Sequence, residues 1–168
     1  MHAPSGEQPA TLQEIKPGFL GALSVTLPGM GLGMVSTLNP SEPGHPNPIR
    51  EIDILGIPDL LDHSGSIHSG STTAFIIISG CTLATTYLRG KYAQERFRGL
   101  IIVGTGVLGA AGTAGLEIAY EAGENVRPYE QKPTNEPFDG TDALFGSISG
   151  ILTAIAFCTA ALKARRRE

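Results

Sequence analysis

Formal charge is missing from four long stretches of this chain. Residues 18–41, 64–88, 100–116 and 143–162 contain no Asp, Glu, Lys or Arg. The charge is crowded into the segments between them. Placing a charged side chain at the centre of a bilayer costs roughly 2.5–3.5 kcal/mol on insertion scales. A soluble helix, in contrast, keeps charge on its outer face, and residues 100–116 offer only Gly and Thr for such a face. The pattern predicts an all-α membrane protein with four transmembrane helices, over about residues 18–38, 65–88, 99–120 and 143–163. Each stretch is close to the roughly 20 residues that a hydrocarbon core requires.

Four such spans use most of the 168 residues, so no separate soluble catalytic domain is expected. Mean hydropathy is low for a membrane protein, at +0.07. Polar loops lower it, and so do spans rich in Gly, Ser, Thr and Ala. Residues 1–17 read as a flexible tail, helped by Pro4, Gly6 and Pro9, and residues 164–168 as a basic tail. The acidic and basic residues Glu7, Glu14 and Lys16 precede the first span, which does not fit a cleavable signal peptide. Cys81 and Cys158 both fall inside predicted spans, where thiols are packing residues and a structural disulfide is not expected.

The loops alternate in sign. Arg89, Lys91, Arg96 and Arg98 oppose only Glu95 between the second and third spans, and Lys163, Arg165, Arg166 and Arg167 oppose Glu168 at the C-terminus. The other two connections are acidic. Arg50 stands against Glu42, Glu51, Asp53, Asp59 and Asp62; Arg127 and Lys132 stand against Glu117, Glu121, Glu124, Glu130, Glu136, Asp139 and Asp142. Lys and Arg collect on the cytoplasmic side, which predicts cytoplasmic N- and C-termini and two acidic outer loops. That outer face would attract cations and cationic amphiphiles.

Within the spans, Pro28-Gly29 leaves open whether the first helix is continuous or broken. A Pro-rich loop follows (Pro40, Pro43, Pro46, Pro48), and residues 52–61 read as a short amphipathic segment or a packed loop. The second span starts polar, with His68 among Ser and Thr. The third carries Gly106, Gly109, Gly112 and Gly115, and the fourth Gly146 and Gly150. These glycines read as helix-packing positions, where small residues let backbones approach closely in lipid.

Ionisable residues near the outer boundary are the candidate site. His68 opens the second span. Glu117 ends the third, with Glu121 one turn on along the same face. Arg127 lies in the loop, and Asp142 precedes the fourth span. Ionisable groups at membrane depth are functional candidates. The structural alternative is that Arg127 pairs with Glu117 or Asp142 and ties the loop down.

The order His68, Glu117, Arg127, Asp142, followed by Gly146 and Gly150, resembles the VanZ-like family of small bacterial membrane proteins over about residues 64–153. The chain departs from that pattern at Ser64, where an acidic residue is usual, at Glu121, where a Gln is common, and at Gly146, where an Asn is usual. Its Arg-to-Asp spacing is also stretched, by residues 129–140. The resemblance implies a bacterial inner-membrane protein with a role in the envelope or in resistance to surface-acting glycopeptide and lipopeptide antibiotics. His68, Glu117, Glu121, Arg127 and Asp142 would then form a pocket at the outer headgroup level. Its partner would be a membrane lipid or lipid-linked molecule, with Arg127 able to grip a phosphate or carboxylate.

A second class of function is a structural or accessory subunit of a larger membrane complex, or a homo-oligomer, in which the glycine-rich helices pack against other chains. Catalysis, with His68 and Glu117 as acid and base, is the less favoured reading, because no activated nucleophile appears. A transporter is less favoured still. No cofactor, metal ion or nucleic acid partner is expected. His45, His63 and His68 are not at ligand spacing.

Overall fold

The computed structural model describes residues 10–38, 63–88, 98–124 and 140–166. It contains four helices: α1 (Ala10–Leu38), α2 (Ser64–Leu88), α3 (Arg98–Glu124) and α4 (Gly140–Arg165). No strand occurs among the described residues. All four helices are long and apolar enough to cross a membrane. At about 1.5 Å per residue, their apolar windows of 21 to 26 residues exceed a hydrocarbon core of about 30 Å. This is the architecture of a multi-pass membrane protein.

The expected spans are all present, and three of them extend further than the charge pattern implied. Helix α1 starts at Ala10, so residues 10–17 are helical rather than tail. It runs without a break through Pro17 and Pro28. Pro28 lies on the exposed side of the helix. Helix α3 continues to Glu124 and α4 begins at Gly140. Lys163 and Arg165 in the last turn of α4, and Asp142 in its first, match the helix macrodipole at both ends.

Residue pairings give an up-down-up-down bundle. Phe19 meets Phe75, and Gly33 meets His68, so α1 and α2 are antiparallel. Gly106 faces Cys158 while Gly146 faces Glu117, so α3 and α4 are antiparallel. His63 with Asp142 and Ser149 with Ile67 place α2 and α4 side by side and parallel. Helix α4 touches each of the other three, while α1 and α3 do not meet. In cross-section, α2 and α4 form the short diagonal of a diamond.

The apolar centre lies toward the end that carries Lys16, Lys163, Arg165 and Arg166. Phe157 is fully packed beneath Phe19, their rings edge-on at 6.0 Å, and Phe19 meets Phe75 in the same way. Ala22, Ile78, Ile102, Ala154 and Ala161 complete this cluster. Leu20, Met34, Ile76, Leu83, Val107 and Ile155 point outward, as side chains do when lipid is the solvent. Several hydroxyls within the spans donate to their own helix. Thr26 donates to the Ala22 carbonyl (3.0 Å), Thr113 to Gly109 (2.7 Å) and Thr153 to Ser149 (2.9 Å).

Candidate functional site

The topology brings the C-terminal ends of α1 and α3 and the N-terminal ends of α2 and α4 to one end of the bundle. His63, His68, Glu117, Glu121 and Asp142 all lie there. Lys16, Lys163, Arg165 and Arg166 lie at the opposite end, and no described residue at the acidic end is Lys or Arg.

Glu117 is the pivot. It is 5% exposed although it carries a carboxyl group. Its Oε1 accepts a hydrogen bond from Ser69 Oγ of α2 at 2.9 Å. The rest of the carboxyl group lies over Gly146 of α4, where a Cβ would stand 2.6 Å from both Cδ and Oε2. A side chain at 146 would displace the Glu117 carboxyl group from this position. One carboxyl group thus touches α2 and α4 from α3. Glu121 sits one turn further along α3, on the same face, and is 8% exposed. The Asp142 carboxylate is near enough to repel that of Glu117.

Asp142 has a partner that charge patterning did not reveal. Its Oδ1 lies 2.6 Å from Nδ1 of His63, the residue just before α2. The imidazole stacks on Phe145 of α4, with centroids 4.6 Å apart and planes 12° from parallel. The ring is thus fixed by a carboxylate at one edge and an aromatic face below. A histidine held in this way has a defined tautomer. Below this pair, Gly70 of α2 meets the Gly146 carbonyl so closely that any Cβ would collide. Ser149 Oγ donates to the Ile67 carbonyl across the same contact, at 2.9 Å.

The other expected site residues have different placements. His68 does not join Glu117. Its ring packs against Gly33 of α1, and its Nδ1 is 3.3 Å from Thr72 Oγ1 of its own helix. Consecutive residues on a helix point about 100° apart, so with Ser69 directed at Glu117, His68 is turned toward α1. Arg127 lies outside the described residues, as do the Pro-rich loop, residues 52–61 and the basic loop between α2 and α3.

The glycines divide in a similar way. Gly106 faces α4; Gly109 and Gly112 face Ile78 and Ile77 of α2; Gly146 and Gly150 face Glu117 and Thr113 of α3. Gly115 packs against nothing within 4 Å and is exposed, so it is not a packing position within this bundle. Three-residue steps turn back by about 60° each, and four such glycines spread over half the helix circumference rather than along one strip. Tight contacts also occur at glycines that the spacing argument passed over. Gly18 and Gly21 meet α4, and Gly29 and Gly33 meet α2.

Cys81 and Cys158 are free thiols, and Cys158 packs on Gly106. Among the described residues, no cluster of three His, Cys, Asp or Glu side chains could hold a metal ion. The chemistry available at the acidic end is therefore that of carboxylates and an oriented imidazole: accepting hydrogen bonds, neutralising a cation and exchanging protons. No family model, curated protein or solved structure matches the chain, so a functional reading rests on this geometry.

Proposed function

We propose that this chain is a bacterial inner-membrane protein whose acidic end faces outward and binds the polar head of an amphiphile. The amphiphile would be an envelope lipid, a lipid-linked precursor or an amphiphilic antibiotic, and the role one in envelope maintenance or resistance. The basic loop and tail would then be cytoplasmic, in keeping with the distribution of Lys and Arg. The buried Glu117 carboxyl group carries the reading. Burying such a group is expensive, and Glu117 has a single described hydrogen bond, from Ser69. Packing alone would be served better by an apolar side chain.

The described charges favour a cationic head. Glu117, Glu121 and Asp142 share this end with no described Lys or Arg. The order of residues resembling VanZ-like proteins is consistent with such a role. Two of its four polar positions, Glu117 and Asp142, adjoin; the imidazole beside them is that of His63 rather than His68.

The test is binding of a fluorescent single-chain quaternary-ammonium amphiphile to the protein in a non-ionic maltoside micelle. The Glu117→Gln and Asp142→Asn variants should insert normally and bind the probe at least tenfold more weakly, about 1.4 kcal/mol for each factor of ten. Wild-type affinity in both variants would remove the proposal.

One observation favours the alternative, an accessory subunit or self-associating chain. Gly104 and Gly115 lie on the exposed side of α3 with no neighbour within 4 Å. Small residues on a lipid-facing surface admit another helix.

A further inference from the structure

We infer that His63 makes ligand binding at the acidic end dependent on pH, weakening the hold on a cation as the medium becomes acidic. The inference rests on the binding role proposed for Glu117 and Asp142, and it assigns the regulation of that site. When His63 is neutral, its Nδ1–H donates to Asp142 and the carboxylate keeps its full negative charge. When His63 takes up a proton, a positive charge stands 2.6 Å from Asp142 Oδ1 and cancels it. Stacking on Phe145 favours the ring staying where it is. Proton uptake therefore changes the field of the site in place. The pair is also reachable by protons from water: the side chains of His63 and Asp142 are 18% and 32% exposed.

Among the described residues, the titratable groups at this end come from every helix except α1. Helix α3 contributes Glu117 and Glu121, and α4 contributes Asp142. Helix α1 contributes no described titratable side chain at this end, Lys16 being at the other. His68 on α2 is directed at Gly33. The carboxylates also gain protons in acid, with the same sign of effect on a bound cation, so variants are needed to assign the effect to His63.

The probe is the same quaternary-ammonium amphiphile in maltoside micelles, chosen because its own charge does not vary with pH. Imidazoles change charge between about pH 8 and pH 5. Over that range the wild-type affinity should fall about fivefold, as for one unit charge acting across a partly hydrated site. His63→Gln keeps a side-chain N–H for Asp142 but cannot be protonated, and its affinity should vary with pH clearly less than that of the wild type. His68→Gln should follow the wild type. A second measurement needs no variant. By linkage, binding within that pH range must release protons from the wild-type protein, visible in buffers of different ionisation enthalpy.

A pH-independent wild type, an undiminished slope in His63→Gln, or binding without proton release would each overturn the inference while leaving the binding role intact. A probe that binds at no pH, or binds equally well to both Glu117→Gln and Asp142→Asn at pH 8, would overturn both.

Discussion

Toward the basic end, the helices meet through Phe19, Phe75, Phe157 and Ile78. Toward the acidic end they meet through Ser69, Gly70, Gly146, Ser149 and Glu117. Both contacts hold the helices together, yet by different physics. In lipid, moving an apolar group from the membrane into the bundle gains no transfer free energy. The aromatic half therefore holds by shape and dispersion. The polar half holds by backbone approach and by hydrogen bonds that cross between helices. It also retains a buried carboxyl group, which stability alone does not require. A bundle divided in this way has a scaffold at one end and, on the reading proposed above, a binding site at the other.

The strongest challenge to this division is Gly70→Leu. A side chain there must displace the Gly146 carbonyl, which is backbone and cannot rotate away. Overpacking a tight contact costs about 1–3 kcal/mol and occasionally more, and the upper end is expected here. Detergent-resolved unfolding should show it, together with loss of probe binding, because Glu117 lies on the same glycine pair. If Gly70→Leu is as stable as the wild type, α2 and α4 are not in backbone contact and the polar half is looser than described.

Phe157→Ala probes the other half. In water, Phe→Ala in a core costs about 3–5 kcal/mol. Here the unfolded helices remain in lipid, so only the cavity part applies, and about 2 kcal/mol is expected. Probe affinity at the acidic end should be unchanged. A parallel loss of affinity would mean that the two halves act as one unit, and the comparison would have to be abandoned.

How much of this was readable without coordinates follows from the same physics. Hydrocarbon penalises charge at every position around a helix, so the four spans stand out from the absence of charge alone. Helix ends did not, because residues 10–14, Glu14 among them, are helical although they precede the apolar window. Direction around the helix was also hidden. His68 and Ser69 are sequence neighbours, yet one faces α1 and the other Glu117.

The pair of His63 and Asp142 left a signal that span-finding overlooks. Each stands at the start of a helix of the same direction, α2 and α4. An alternating bundle must therefore bring them to the same end, although 79 residues separate them. Reading boundary residues by helix parity, rather than counting depth within spans, would have singled out His63.

The smallest expected effect concerns the glycines of α3. Gly109→Ala puts a methyl 2.7 Å from Cγ1 of the fully buried Ile78. Overpacking should more than offset the gain of up to about 1 kcal/mol that Ala brings to a helix. Gly115→Leu adds far more volume but meets nothing in this chain, so unfolding should shift by no more than about 0.5 kcal/mol. The two substitutions together separate packing within the bundle from packing against another chain. If Gly115→Leu leaves unfolding alone but removes a co-purifying protein or a dimer in mild detergent, the outward face of α3 is an interface, and the accessory-subunit reading gains what the binding reading would then have to share. If neither changes, that face meets only lipid, and the binding role proposed for the acidic end stands without a competing interface on α3.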